Sequence, residues 1–281
     1  MKKPLQILHT TLHIGLPKPV RLLHITDTHI TRDDPGRAFP NRYRCFNSNY
    51  ENCAEDYFLQ ALEYARENNL PVVHTGDLLD YLSEANFAFV DEYFSPVDYL
   101  YAAGNHDFCH WVGRAKEDYA YKWEMMRRSA PHFNCNLYFD SRVIGGVNFI
   151  TIDDSYYLFT EGQLELLKAE AARGLPMVVC MHNPLYEPEL ARLVMEAGNP
   201  CAYLTDPPED VAATYPEDRR KQQTPDEATR RVSEFLRTEP LVKALITGHT
   251  HLNYVGLVDG HLPQITTHGS FAGFVREIVI E

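Results

Sequence analysis

Short apolar runs alternate with longer amphipathic segments along the chain, an order of elements that is typical of a layered α/β protein. The apolar runs predict strands over residues 20–26, 70–75, 97–102, 147–153, 177–181 and 241–247. Apolar residues at helical spacing predict helices over residues 53–68, 161–172 and 226–237. The segment 252–280 returns to strand-like runs, with turns at Asp259-Gly260 and Gly269-Ser270.

Two segments fit neither the strand period nor the helix period. Residues 31–52 combine proline and glycine with arginines and aromatic residues, and residues 184–225 begin with a possible helix over 187–197 before becoming rich in Pro, Asp and Glu. Loops longer than roughly 15 residues are uncommon unless they are functional or disordered. We therefore expect a single domain over residues 1–281 with rim insertions near 31–52 and 184–225.

Composition and charge narrow the classes of function. Of 281 residues, 44% are apolar and 23% charged, and the net charge of -13 argues against nucleic acid or an anionic membrane as a partner. No run approaches the roughly 20 apolar residues of a membrane helix, and the N-terminus lacks the apolar region of a signal peptide. The six cysteines include no CxxC pair, which favours reduced thiols. We expect a cytoplasmic protein that acts on a small molecule, in an oligomeric state that the sequence leaves open.

Polar residues stand at the ends of five predicted strands. The motifs are DTH at 27–29, GDLLD at 76–80, GNHD at 104–107, HNP at 182–184 and GHTH at 248–251. In an open α/β sheet, ligands collect at the carboxyl ends of the strands, so these five ends predict one cleft. Imidazole, carboxylate and amide groups suit borderline divalent metals, which predicts a metal site there.

The spacing within two motifs bears on how a metal would be held. Residues i and i+2 of an extended segment point to the same side, so Asp27 and His29 can bind one ion together. The same holds for His249 and His251, unless the backbone turns and sends them to two neighbouring ions.

In this order, DxH, GDxxD, GNHD, a later His and GHxH resemble the motifs of the calcineurin-like metallophosphoesterase superfamily. The resemblance covers Asp27 to His251 and implies a four-layer α/β/β/α sandwich with mixed sheets. It also implies two divalent ions, Mn, Fe or Zn. The first ion would be held by Asp27, His29, Asp77 and His251, and the second by Asp77, Asn105, His182 and His249, with Asp77 as the bridge. His106 would stand beside the phosphate without binding a metal, and Asp80 would orient it.

The implied arrangement is chemically sensible for hydrolysis of a phosphate ester. Two dications roughly 3.5–4 Å apart can share a hydroxide, lower its pKa and hold the phosphoryl oxygens for in-line attack. His106 can protonate the leaving alkoxide as a general acid. Asp80 can fix the tautomer of His106 and raise its pKa. We therefore expect a metal-dependent phosphoesterase.

Departures from particular branches narrow the substrate. Asp80 is followed by Tyr81-Leu82 and not by Arg-Gly, and GNHD replaces GNHE, which argues against a protein phosphatase. Asp80 also stands where purple acid phosphatases carry a metal-binding tyrosine. Repair nucleases share GNHD but need a basic surface. The remaining group resembles class III cyclic-nucleotide phosphodiesterases, so a phosphodiester of a small or nucleotide-like molecule is expected. The alternatives are a phosphomonoester and, in another class, a scaffold with this fold that has lost catalysis.

Other polar residues have simpler readings. His24 and His74 lie inside predicted strands, where buried, hydrogen-bonded roles are expected. Asp153 and Asp154 are expected in a turn or helix cap and not as an acid/base pair. The arginines of the first rim segment fit a phosphate clamp and a solvated loop equally well; they are Arg32, Arg37, Arg42 and Arg44.

Overall fold

The computed structural model describes residues 3–47, 53–109 and 119–281. The strands in these ranges are β1 (Gln6–Leu12), β2 (Val20–Ile25), β3 (Val72–His74), β4 (Tyr99–Tyr101), β5 (Phe139–Ile144), β6 (Val147–Ile152), β7 (Met177–Cys180), β8 (Val242–Thr247), β9 (Tyr254–Val258), β10 (Leu262–Thr266) and β11 (Phe274–Ile280). The α-helices are α1 (Pro40–Asn47), α2 (Ala54–Glu67), α3 (Glu84–Phe89), α4 (Tyr119–Ser129), α5 (Glu161–Ala171), α6 (Pro188–Glu196), α7 (Glu209–Ala212), α8 (Glu217–Gln223) and α9 (Glu227–Thr238).

The strands form two mixed sheets. The first has the order β1-β11-β2-β3-β4 and the second the order β5-β6-β7-β8-β10-β9. Strands β2, β3 and β4 run parallel, as do β6, β7, β8 and β10, whereas β11 is antiparallel to β2. The parallel strands place their carboxyl ends at one edge of each sheet.

Side chains alternate across the strands and build three apolar layers. Leu22 of β2 packs between the two sheets with Val178 of β7 and Ala244 of β8. The next residue, Leu23, faces the helical side of the first sheet, where it joins a cluster with Phe58 of α2. A third cluster lies between the second sheet and helices α5 and α9. The result is the helix-sheet-sheet-helix sandwich that the motif resemblance implies, and each fully buried aliphatic side chain adds about 1.5–3 kcal/mol to it.

Helix positions follow from apolar spacing and from caps. The buried side chains of α2 form a stripe at helical spacing along the predicted helix 53–68, namely Ala54, Tyr57, Phe58, Ala61 and Ala65. Helix α5 begins with a capping box between Thr160 and Gln163, and α9 begins where the Asp226 side chain accepts from the backbone N–H of Thr229.

The two rim segments differ from expectation. The first was predicted as a loop over 31–52, but it contains the helix α1, and residues 48–52 lie outside the described ranges. The second segment contains the expected helix, α6, and two further short helices, α7 and α8. It has a small apolar core of its own, in which Leu190 and Val194 of α6 pack near Cys201 and Tyr215.

Two sequence expectations concern the whole chain. No disulfide joins any of the six cysteines within the described ranges. Within the described ranges, no helix combines the length and the apolar character needed to span a membrane.

Candidate metal centre

The carboxyl ends of strands from both sheets meet at one cleft of about 540 Å³. Strands β2, β3 and β4 of the first sheet and β7 and β8 of the second lead into it. The structure brings together all of the predicted site residues, which are Asp27, His29, Asp77, Asp80, Asn105, His106, His182, His249 and His251. Two neighbouring groups of potential ligand atoms correspond to the two predicted ion sites, and a third group, made of His29, Asp80 and His106, overlaps the first at His29.

The first group contains Asp27, His29 and His251. Nε2 of His251 lies 3.1 Å from Oδ1 of Asp27 and 3.4 Å from Nε2 of His29. Nε2 of His29 lies 3.8 Å from the same Asp27 oxygen. Asp27 and His29 are buried, and His251 is partly exposed toward the cleft. Three donor atoms therefore point at one small volume.

The second group contains Asp77, His182 and His249, and Asn105 lines the same cleft. Nε2 of His182 lies 3.1 Å from Nδ1 of His249. Nδ1 of His182 lies 2.6 Å from the carbonyl oxygen of Thr75, to which it can donate, so that Nε2 is left as the electron-pair donor. Oδ1 of Asn105 is buried and has no hydrogen-bond partner among the described residues. A buried acceptor without a hydrogen-bond partner, in a cleft that is also lined by imidazoles, fits the donor set of a divalent ion.

Asp77 belongs to the second group and also faces the first. Its Oδ2 is 3.7 Å from Nε2 of His29 and 3.3 Å from Nε2 of His182, whereas its Oδ1 accepts from the backbone N–H of His106 at 2.8 Å. Burial opposes ionisation, but the His182 and His106 imidazoles outweigh it and hold the pKa of Asp77 well below its usual range. One carboxylate oxygen thus faces both groups.

The backbone at the site is left-handed at five residues other than glycine. Their φ angles lie between 48° and 65°, and the residues are Asp27, His29, Asp77, His249 and His251. The expectation of an extended DxH segment is therefore wrong. Such conformations cost about 1–3 kcal/mol each and persist only where the surrounding structure enforces them. In GHxH the backbone also turns, and His249 and His251 lie in different groups.

Asp80 contacts two of the histidines at once. Its Oδ1 lies 2.9 Å from Nδ1 of His29 and 3.2 Å from Nδ1 of His106. Burial lowers the pKa of His106, but Asp77 and Asp80 together raise it to about 9. The predicted orientation of His106 by Asp80 is therefore only part of the geometry, because the same carboxylate also orients His29.

Tyr157 was missed by the sequence analysis. Its hydroxyl lies 2.8 Å from Nε2 of His249, and both Tyr156 and Tyr157 have φ of 63°. A tyrosine that follows β6 belongs to none of the five motifs. The only available signal was its place after a predicted strand end.

The buried histidines and aspartates that were expected to lie outside the metal site make hydrogen bonds within the fold. His24 is buried between the hydroxyls of Thr267 and Thr75, at 2.8 Å from each. His74 is buried as well, and burial lowers its pKa to about 3. Both expectations of buried, hydrogen-bonded histidines are confirmed by the geometry. Asp153 accepts from the backbone N–H of Ser155 at 3.1 Å, as a turn residue does, whereas Asp154 accepts from the backbone N–H of the distant His182 at 2.9 Å.

The four arginines of the first rim segment differ in whether they reach the cleft. Arg32 pairs with Glu55 at 2.8 Å, and Arg37 donates to the carbonyl oxygen of Leu82. Arg44 is exposed on α1. Arg42 alone of the four lines the cleft.

The family model for calcineurin-like phosphoesterases matches residues 20–253, and the chain belongs to this family. The chain is therefore a metal-dependent phosphoesterase by class. No curated protein matches the chain.

Solved structures with a similar fold are distant in sequence. A dimetal phosphatase from Danio rerio is 15% identical, with a TM-score of 0.54 over 90% of this chain and 88% of that one. A 5'-nucleotidase from Candida albicans is 12% identical, with a TM-score of 0.44 over 95% of this chain and 47% of that one. The phosphopantetheinyl hydrolase from Mycobacterium tuberculosis is 11% identical, with a TM-score of 0.41 over 92% and 90%. The first of these supports the fold.

Proposed function

We propose that the protein hydrolyses a phosphate ester of a small, nucleotide-sized molecule at a site for two divalent ions. The supporting observation is the position of Asp77, one oxygen of which faces both groups of potential ligands. The residues proposed to hold the ions are Asp27, His29, Asp77 and His251 for the first and Asp77, Asn105, His182 and His249 for the second. When bound, such ions polarise the phosphoryl oxygens and lower the pKa of water.

His106 is proposed as the general acid. Its Nδ1 is held by Asp80, and its side chain is 21% exposed at the cleft. Its Nε2 makes no hydrogen bond to any residue that the structure describes. Protonated His106 would therefore keep an N–H free to donate to the leaving oxygen of the ester. Asp80 would hold the ring in the orientation that this donation needs.

The walls of the cleft suit an organic group of moderate size. Phe46 and Phe271 lie on one side, and Tyr203 comes from the second rim segment. A phosphodiester is the substrate that the sequence favours. A phosphomonoester is the second candidate, and the position of Arg42 in the cleft favours it. The metals Mn, Fe or Zn, the single domain and the cytoplasmic location stay predictions.

The test is metal reconstitution followed by hydrolysis of paired reporter esters. Protein stripped with a chelator and reloaded with Mn²⁺, Fe²⁺ or Zn²⁺ is assayed for bound metal and for hydrolysis of p-nitrophenyl phosphate and bis(p-nitrophenyl) phosphate. We expect about two ions per chain and turnover of at least one ester. Stripped protein is the control. Failure to hydrolyse either ester in every reloaded form would refute the proposal.

A further inference from the structure

Arg42 brings a permanent positive charge into a cleft that holds no other lysine or arginine among its described lining residues. It lies on α1, the helix that the sequence did not predict. The side chain is 28% exposed and lines the cleft together with Asp77, Asn105 and His106. Because the chain carries a net charge of -13, attraction of an anionic substrate depends on such local charge.

The guanidinium is held firmly on one edge. Its Nε donates to Oδ2 of Asp80 at 2.7 Å, and its Nη2 donates to Oδ1 of the same carboxylate. Its central carbon lies 5.0 Å from the ring centroid of Phe46, and that ring stacks on His29 at 4.2 Å. Nη1 makes no hydrogen bond to the residues that the structure describes. Arg42 is therefore fixed in place with one donor edge to spare.

Whether Nη1 of Arg42 has a substrate oxygen to bind depends on the number of terminal oxygens that the phosphate ester carries. A phosphodiester has two terminal oxygens, whereas a phosphomonoester has three and a larger negative charge. Two divalent ions can each take one terminal oxygen. A third oxygen needs another donor, and the planar guanidinium is suited to phosphate oxygens.

We propose that Arg42 binds the third terminal oxygen of a phosphomonoester and makes the site prefer monoesters to diesters. This inference rests on the proposed function and names its substrate class. It departs from the diester that the sequence favours. Because Arg42 contacts Asp80, a competing role is open to test: Arg42 would act only by positioning Asp80 and, through it, His106.

Paired esters with the same leaving group separate the two roles. The variants are R42A and R42K, and R44A is the matched control, since Arg44 lies on the same helix but is exposed and outside the cleft lining. Each metal-loaded protein is assayed with p-nitrophenyl phosphate and bis(p-nitrophenyl) phosphate. p-Nitrophenolate leaves readily, so these esters depend little on His106.

For wild type we expect a higher kcat/KM for the monoester. In R42A that value should fall about 10- to 100-fold, the usual effect of losing a hydrogen bond to a charged group, while the diester value falls much less because a diester has no third terminal oxygen. Inhibition by inorganic phosphate should weaken by a similar factor, and phosphate should no longer raise the Tm of the metal-loaded protein. R42K should be intermediate, and R44A should match wild type.

Two results would overturn the inference. One is an equal loss of monoester and diester hydrolysis in R42A with unchanged phosphate inhibition. The other is unchanged hydrolysis of both p-nitrophenyl esters together with a loss for an alkyl phosphate assayed beside them, which would make Arg42 a positioning residue for His106. If R42A does not fold, the ratio of monoester to diester hydrolysis in R42K decides. A wild-type protein that hydrolyses neither ester would instead refute the proposed function.

Discussion

The hydroxyl of Tyr157 lies 2.8 Å from Nε2 of His249, while Nδ1 of the same ring faces His182 at 3.1 Å. The contact fixes which ring nitrogen faces the second group of potential ligands. Histidines that bind metals are commonly oriented in this way by a partner on the other nitrogen. Tyr157 is buried and stands on a left-handed turn after β6, so the fold holds it in place.

Removal of the Tyr157 hydroxyl tests this contact. In Tyr157→Phe we expect the affinity for one of two Mn²⁺ ions to fall about 10-fold, because the His249 ring loses its partner. Isothermal titration on stripped protein measures both affinities. Tyr43→Phe, at an exposed position on α1, is the control. Unchanged affinity for both ions in Tyr157→Phe would contradict the expectation.

Loss of the Asp77 carboxylate should affect both ions. In Asp77→Ala we expect both metal content and kcat/KM to fall by more than about 100-fold. Mutation of a residue that only hydrogen-bonds to a metal ligand already lowers metal affinity or activity about 10- to 100-fold, and Asp77 is proposed as a ligand itself. Elemental analysis and reporter hydrolysis measure the two effects. Asp98→Ala, at an exposed carboxylate, should behave as wild type. Wild-type activity in Asp77→Ala would disprove its bridging position.

Replacement of His106 should depend on the leaving group. His106→Ala should retain its metals, while hydrolysis of alkyl phosphates slows about 100-fold or more and hydrolysis of p-nitrophenyl phosphate slows much less. The reason is that only a poor leaving group needs a proton in the transition state. The slope of log kcat/KM against leaving-group pKa is the measurement. A slope equal to that of wild type would argue against a general acid.

The close approach at Gly104 leaves no room for a side chain. A Cβ there would collide with Oδ1 of Asp77, so Gly104→Ala should displace that carboxylate and lower both metal affinity and Tm. Gly174→Ala is the control, because Gly174 has a left-handed φ but open space around it. It should lower stability by about 1 kcal/mol and leave metal affinity intact. Equal metal affinity in the two variants would contradict the role of the close approach.

Much of the site could be predicted because its residues follow strands in recognisable motifs. The ends of β2, β3 and β4 carry a glycine or a polar residue directly after a short apolar run, and that pattern is visible in one dimension. The left-handed backbone at Asp27 and His29 could not be predicted from it, because surrounding contacts and not local preference enforce that conformation.

Helix α1 and strand β1 have no clear hydrophobic periodicity in the sequence. Helix α1 buries only Phe46, so it has no apolar stripe that would mark it as a helix. Strand β1 lies at the edge of the first sheet and is largely half-exposed, which blurs its alternation. Arg42 and Tyr157 reach the site through these less regular parts of the chain. Their contacts depend on tertiary packing and cannot be predicted from a sequence motif.

The potential ligands come from opposite halves of the sandwich. Asp27, His29 and Asp77 follow strands of the first sheet, and His182 and His249 follow strands of the second. The packing of the apolar layer between the sheets therefore sets the distances between the ligands of the two sheets. If one sheet moved relative to the other, those distances across the cleft would change. Conversely, an ion bound by residues of both sheets would stabilise the packing of the sheets against each other. The stability of this packing and the binding of ions in the cleft therefore depend on each other.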